Sequence, residues 1–579
     1  MTIDTRKLVR VNLQLSIVNF SFDRNMTDKL LQELQAALGR DLLAFLPELI
    51  LCGAIVTMLV VRLFGRWHMG WLALALTFYA FLVSWYQWLE TGYDPRPWGT
   101  KSLEMFSGLL VYDNFTIFLR LFLLGFGLLL IWLSLMTGIP DREDSADFYC
   151  LVLGAIVGMS LMASANHLIM IFIGVEMASL PCYALAGFLK GRRQSSEAAL
   201  KYVVYGGGAA GIMLYGISLV AGKFGTGYFP DLAGFMAANP LDPLVLLGTL
   251  FILIGVAFKL AAVPFHFWCP DVFEGAAAEV AGFLSVASKG AALALLARIV
   301  LGLGGLAGIQ PHPDWWRNVT PYLAPALAFF AVLTVTFGNL AAYGQTNLKR
   351  LLAYSTIAHA GFMMLGLATM TRAGAGAVLF YLVVYLFMNL GAFAVVAFIR
   401  NVTGSEDLAD CRGLIQRAPV LVITLAVFLL SLLGLPPLGG FAAKFQIFSV
   451  LFDAGRYYGS PGMAGPDMLG EAAGSLSAIM YALLVIGGLN TVLSLFYYIK
   501  VLKVMILDKT IEEVENRPAA PLPVPGLPNL YASILAGAVL LLGIFWNTLY
   551  VASNVMGVDR FHHEPTPAQV EPVAKGAQP

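Results

Sequence analysis

Four side chains stand out by type and setting. Glu176, Lys259, Lys289 and Lys444 each fall inside a long apolar run. A lysine at the centre of a membrane-spanning helix costs about 2.5–3.5 kcal/mol on insertion scales, so each needs a physical reason. Burial disfavours the charged form of an ionisable group, and an opposite charge nearby favours it. Opening and closing a Lys–Glu pair therefore switches the lysine between holding and releasing a proton. Glu176, in Ile-Phe-Ile-Gly-Val-Glu-Met-Ala-Ser-Leu, is the natural countercharge for one of the three lysines. The competing reading is a static ion pair that fixes helix packing. His266 and His359 lie on or beside the same runs, where a histidine either relays protons or packs as a hydrogen-bonded ring.

The remaining charges read as ordinary. Of 35 basic residues, five lie inside apolar runs: Arg120, Lys259, Lys289, Arg298 and Lys444. Arg120 is near the start of its run and Arg298 near the end of its own, so both are expected to snorkel to an interface. Glu48, near a helix start, reads as structural or interfacial.

These residues must be positioned by membrane helices. The chain is 59% hydrophobic and 12% charged, against roughly 25% charged in a soluble domain. Fourteen runs are long enough to cross a bilayer, which takes about 20 apolar residues. They fall near 43–63, 71–89, 115–136, 148–163, 167–188, 202–221, 244–263, 280–301, 321–342, 353–370, 375–398, 419–451, 476–504 and 530–551. The fold class is an all-α polytopic membrane protein. Net charge is zero with no basic or acidic tail, so no nucleic-acid partner is expected and the lipid bilayer is. The five cysteines (Cys52, Cys150, Cys182, Cys269, Cys411) include no C-x-x-C pair, which excludes a local zinc or iron–sulfur motif and makes most of them packing residues. No phosphate-binding or dinucleotide fingerprint occurs. Gly206–Gly207–Gly208 lies in an apolar run and reads as close helix packing.

Two runs are interrupted. Lys259 occurs in Gly-Val-Ala-Phe-Lys-Leu-Ala-Ala-Val-Pro-Phe-His-Phe-Trp, where Pro264 should break the helix. Lys444 follows Pro436, Pro437 and two glycines in Gly-Leu-Pro-Pro-Leu-Gly-Gly-Phe-Ala-Ala-Lys-Phe. Both lysines end a G-x-A-x-K pattern, from Gly255 and from Gly440. Paired interruptions in two halves of a long apolar chain point to an internal repeat with sites near the midplane. Lys289, in Ser-Val-Ala-Ser-Lys-Gly-Ala-Ala, lies on the helix after the first interruption.

Loops after odd-numbered runs hold sixteen Lys or Arg, those after even-numbered runs six. The positive-inside rule then puts both termini on the outer side. The basic stretch up to Arg40 argues weakly the other way, and Met26 is an alternative start that would remove most of that charge. The stretch lacks the compact apolar core and small-residue cleavage site of a signal peptide. The segments 517–528 and 552–579 are rich in proline, and the second is expected to be disordered.

Three segments carry a resemblance. They are Lys259-Leu-Ala-Ala-Val-Pro-Phe-His-Phe-Trp-Cys-Pro-Asp-Val-Phe-Glu-Gly, Asn347-Leu-Lys-Arg-Leu-Leu-Ala-Tyr-Ser-Thr-Ile-Ala-His-Ala-Gly, and Gly434-Leu-Pro-Pro through Lys444. They are similar to the antiporter-like membrane subunits of respiratory complex I, the subunit N family above all, over roughly 43–551. The resemblance implies two inverted five-helix repeats, each with a broken helix. It pairs Glu176 with Lys259 and runs a proton path through Lys289 to Lys444. It places NADH, FMN, iron–sulfur clusters and quinone in partner subunits, with no cofactor and no metal in this chain. It implies neighbouring antiporter-like subunits as partners and the bacterial inner membrane as location. The implied divisions are an extension at 1–42, three helices at 43–147, repeats at 148–310 and 311–510, a loop and last helix at 511–552, and the tail 553–579. The sequence departs from the family at Ala277 and Glu279, where prolines are common, and at Ala443, often glycine. A related sodium/proton antiporter without redox partners is the alternative function, and a purely structural scaffold a third. The chain lacks the long lateral C-terminal helix of the most distal subunit.

Overall fold

The computed structural model describes residues 37–65, 67–92, 103–239, 241–303, 318–463, 469–509 and 521–558. Most of the N-terminal extension, the alternative start at Met26, residues 517–520 of the 517–528 segment and the tail beyond 558 lie outside the described residues. The chain divides into two compact units, 1–46 and 47–579. In the first, the described residues 37–46 are helical apart from a turn at Phe45.

The described residues of the second unit are nearly all helical because a backbone in lipid must satisfy its polar groups internally. It opens with α1 (Leu46–Phe64) and α2 (Gly70–Gly92). A small antiparallel hairpin, β1 (Leu103–Met105) and β2 (Leu110–Tyr112), precedes α3 (Asn114–Thr137). Then come α4 (Ser145–Ser164), α5 (Leu168–Ala186), α6 (Arg193–Phe224), the short α7 (Phe229–Ala238) and α8 (Pro243–Leu260). Asp242 starts α8 by accepting from the Leu244 and Val245 amides. Its carboxyl also takes a 2.7 Å ion pair from Lys223, which holds it below the usual carboxylate range. The eight-residue α9 (Trp268–Gly275) completes the first interrupted helix. α10 (Ala278–Phe283) runs through a π-turn (Leu284–Ser288) into α11 (Lys289–Leu303).

The second half of the chain contains α12 (Thr320–Ala342), α13 (Leu348–Ala368), α14 (Arg372–Thr403), α15 (Pro419–Leu433), α16 (Gly439–Tyr458), α17 (Ala472–Ile506), α18 (Gly526–Ile544) and α19 (Trp546–Tyr550). Thirteen helices among the described residues are long and apolar enough to cross a membrane. The shorter α15, followed by α16, supplies the one remaining run, 419–451, as a broken helix. The chain is thus a multi-pass helical membrane protein.

The helices sort into a centre and a periphery. The 278–301 span is buried along its whole apolar window, and α13 and α14 are nearly so. In α1, α2 and α17 only 28% of that window is buried, as expected of lipid-facing or subunit-facing helices. The central helices carry Lys289 and His359, and the broken helices carry Lys259 and Lys444.

Several expectations are corrected. Arg120 and Arg298 do not snorkel. Arg120 is 1% exposed and its Nε donates to Glu48 Oε1 at 2.6 Å, so Glu48 is a buried partner and not an interfacial acid. Arg298 makes a bidentate pair with Asp113 at 2.5 and 2.7 Å and also donates to Thr116 Oγ1 and the Ala163 carbonyl. Helix position alone suggested snorkelling; the guanidinium fork met a carboxylate from another element instead. Of the glycine triplet, Gly206 packs closely, since an added Cβ would lie 2.0 Å from the Tyr183 hydroxyl oxygen, while Gly207 and Gly208 face open space. Residues 551–556, placed at the edge of the disordered tail, form a π-turn.

Candidate functional site

The first site is built around the end of α8. The helix stops at Leu260, and Ala261 turns left-handed at φ +54°, three residues before Pro264. The indole Nε1 of Trp268 donates to the Phe258 carbonyl at 2.9 Å, tying α9 to the carbonyl end of α8 across the break. Trp268 also stacks on Tyr202 with centroids 4.3 Å apart. Lys259, in the last turn of α8, is 1% exposed, and its Nζ donates to Ser179 Oγ at 3.0 Å.

Glu176 stands one turn earlier than Ser179 on α5. It is half-buried, with Oε1 lacking any protein hydrogen-bond partner. It makes no ion pair with Lys259 within 4.0 Å, yet the two charges act on each other through space. The expected contact pair is therefore an open pair in this structure, with Ser179 holding the lysine.

Lys289 is 1% exposed and begins α11 immediately after the π-turn. Such turns relax the i→i−4 ladder and often mark functional positions. Its Nζ lies 3.6 Å from Cys269 Sγ and 5.9 Å from the centre of the Phe273 ring. Cys269 is accordingly more than packing. Tyr202 lies within electrostatic reach of Cys182, beside Lys259, and of Cys269, beside Lys289. It stands between the first two lysines, a residue that sequence reading passed over as the start of a span.

His359 joins the two halves. Its Nδ1 is 2.7 Å from the Tyr381 hydroxyl and its Nε2 3.2 Å from that of Tyr498, and both Lys289 and Lys444 act on it electrostatically. His266 is buried against the rings of Phe267 and Phe337, each centroid 4.4 Å away, and its Nδ1 has no protein partner. Asn389 donates to Ser285 Oγ at 2.7 Å but leaves Oδ1 without a protein partner. Buried polar atoms of this kind call for water.

Lys444 sits just past the second break. Gly434 turns at φ +93°, and the Lys444 Nζ reaches back to the Leu433 carbonyl at 2.9 Å. A cation at the carbonyl end of α15 is favoured by the helix dipole. The ammonium also lies 4.6 Å from the centre of the Phe362 ring. A side chain at Gly440 would put Cβ 1.8 Å from the Ser431 carbonyl oxygen, so this approach requires glycine. The neighbouring Ala443, a departure from the family, is fully buried without such a clash.

The other two departures are explained. Ala277 has φ −60° and ψ 148°, values a proline would also adopt, so the backbone keeps that shape. Glu279 is fully buried and pairs with Arg400 at 3.1 Å. Lys349 donates to the Ala276 carbonyl at 2.6 Å and pairs with Glu406 at 2.8 Å.

Buried lysines at the breaks of two interrupted helices, in a multi-pass helical membrane chain, are the architecture of an antiporter-like membrane subunit. The family model described as NADH:quinone oxidoreductase/Mrp antiporter, TM, matches residues 165–461. NADH-quinone oxidoreductase subunit N 2 of Sorangium cellulosum is 40% identical over 458 residues, covering 77% of this chain and 84% of that relative. The chain belongs to the NADH-quinone oxidoreductase subunit N family. A chain of respiratory complex I from Thermus thermophilus superposes with a TM-score of 0.66 at 29% identity, covering 88% of this chain and 99% of that one. A chain of the Mrp complex from Dietzia, at 19% identity and TM-score 0.71 over 90% of this chain and 97% of that one, shares the fold alone.

Proposed function

We propose that this chain is a proton-translocating membrane subunit of an NADH-quinone oxidoreductase, working through Glu176, Lys259, Lys289, His359 and Lys444. It carries no redox centre of its own. FMN, iron–sulfur clusters and quinone belong to partner subunits, and its partners are the other membrane subunits of complex I, neighbouring antiporter-like subunits among them. The carrying observation is a set of buried basic side chains, each held by its own hydrogen-bonding group: Lys259 with Ser179, Lys289 with Cys269, His359 between two tyrosines, and Lys444 on a helix end. Moving Glu176 toward Lys259 favours the protonated lysine, and withdrawing it favours release toward Lys289. His266 serves as a side relay near Lys289.

The location is the bacterial inner membrane, with the loops after odd-numbered spans on the cytoplasmic side and both termini outside. The repeats run over 148–310 and 311–510. The identity to subunit N relatives favours the redox-linked subunit over a free-standing sodium/proton antiporter.

The test is Lys259→Ala and Glu176→Gln in membrane vesicles holding the assembled complex. NADH-driven proton uptake should fall at least tenfold for Lys259→Ala. Wild-type uptake and electron transfer in an assembled Lys259→Ala complex would overturn the reading.

A further inference from the structure

Seven Lys and Arg side chains are buried among the described residues, and they fall into two sets. Arg120, Arg298, Lys349 and Arg400 each meet a carboxylate: Glu48 at 2.6 Å, Asp113 at 2.5 Å, Glu406 at 2.8 Å and Glu279 at 3.1 Å. Lys259, Lys289 and Lys444 make no ion pair within 4.0 Å among the described residues. They rest on neutral acceptors: the Ser179 hydroxyl, the Cys269 sulfur and the Leu433 carbonyl. The division has a physical meaning. A carboxylate favours the charged form of its partner and so keeps a proton on it. A neutral acceptor takes an N–H from an ammonium and from an amine alike, so that contact outlasts the loss of the proton.

Ser179 is built for this task. It is 1% exposed on α5, and its hydroxyl donates to the Val175 carbonyl, one turn back, at 2.5 Å. That bond uses the only proton the hydroxyl has, so the oxygen is left to accept. The Lys259 Nζ donates to it at 3.0 Å. Glu176 stands three residues earlier on the same helix, a spacing that puts both side chains on one face of α5. That face therefore offers a charged and a neutral acceptor side by side, and Lys259 occupies the neutral one. A hydroxyl bonded one turn back is common in helices and by itself means little. Buried Ser134 makes the same bond to the Leu130 carbonyl at 2.9 Å and holds no cation.

We propose that Ser179 is a positioning residue of the proton path, holding the Lys259 nitrogen in place while the lysine loses and regains its proton. The inference rests on the proton-path reading of Lys259. When Lys259 gives up a proton, an N–H remains directed at Ser179 Oγ, and the Ser179 proton stays on its bond to the Val175 carbonyl. The serine neither gains nor loses charge and carries no proton of the path. Without its hydroxyl, the lysine is left with the Glu176 carboxylate on the same face, which favours keeping the proton.

The test compares Ser179→Ala, Ser179→Thr, Ser134→Ala and Lys259→Ala in the assembled complex in membranes, reading NADH-driven proton uptake and thermal stability. Ser179→Ala removes only the hydroxyl, Ser179→Thr keeps one, and Ser134→Ala removes the same kind of bond where no lysine is held. The expected result is a threefold or larger drop in uptake for Ser179→Ala, with Ser179→Thr and Ser134→Ala near the wild-type rate. Wild-type uptake in Ser179→Ala while Lys259→Ala has lost it overturns the role of Ser179 and leaves the path standing. Wild-type uptake in both overturns the path and the serine together. An equal drop in Ser179→Ala and Ser134→Ala, tracking stability, makes the hydroxyl structural and overturns the inference. If Ser179→Ala does not assemble, Ser179→Thr and Ser179→Val decide, because they differ in the hydroxyl and not in shape. Threefold lower uptake in the valine variant then supports the inference, and equal uptake overturns it.

Discussion

The two broken helices look alike in sequence and are held by different forces. The first break is short on its far side, and charges clamp that side. Asp271 of α9 pairs with Lys201 at 2.6 Å and with Arg350 at 2.8 Å, and Glu274 pairs with Arg350 at 2.7 Å. The second break is followed by the twenty-residue α16, which is held by backbone approach. Gly440 lies against the Ser431 carbonyl and donates its amide to Ser431 Oγ at 3.0 Å, while Gly543 packs on the Pro437 carbonyl. The lysines also lie on opposite sides of their breaks: Lys259 precedes the first, and Lys444 follows the second and reaches back. A shared five-residue pattern thus serves two geometries. The eight residues of α9 bury too little by themselves and rely on ion pairs, whereas α16 is long enough to rely on packing.

That contrast can be broken at its strongest point first. Gly440→Val should remove the subunit from the membrane, read as loss of protein in purified membranes, because the clash is with backbone. Valine accumulating normally there would mean that the second break is not held by close approach. Next, Lys444→Met should lower NADH-driven proton uptake at least tenfold while the complex assembles, the same outcome expected of Lys259→Ala. Uptake lost from one variant and kept in the other would separate the two breaks in function as well as construction.

Smaller effects belong to the first break. Glu279→Gln leaves Arg400 buried without its carboxylate and should cost roughly 3–5 kcal/mol, seen as a lower unfolding temperature of the detergent-solubilised complex. Arg350→Ala removes two half-exposed pairs and should cost only about 0.2–1 kcal/mol each, diminishing in high salt. A salt-independent effect of that variant would argue against an ionic clamp. Ala277→Pro should be neutral or stabilise by about 0.4–1 kcal/mol, because the backbone already holds a proline-compatible angle. A marked destabilisation would show that the alanine is needed for contacts and not only tolerated.

The membrane class, the fourteen runs and the two interruptions were legible in the sequence because hydrocarbon thickness fixes span length and proline removes a backbone donor. The four charged residues of the proposed path stood out in the sequence because a charge in lipid is costly enough to need a function or a partner. The same rule misread Arg120 and Arg298. Their partners, Glu48 and Asp113, lie 72 and 185 residues away, and periodicity carries no information about such distances.

The rest was decided by tertiary structure. Sequence order gave no sign that Ser179 would take the Lys259 ammonium while Glu176 stood apart, or that the Leu433 carbonyl would take that of Lys444. Tyr381 and Tyr498 read as aromatic residues in apolar runs, and their hydroxyls met His359 only when helices distant in sequence packed together. The sequence determined which residues are too costly to be there without reason. Packing decided which of them are held by a partner, and which are left with atoms that can pass a proton on.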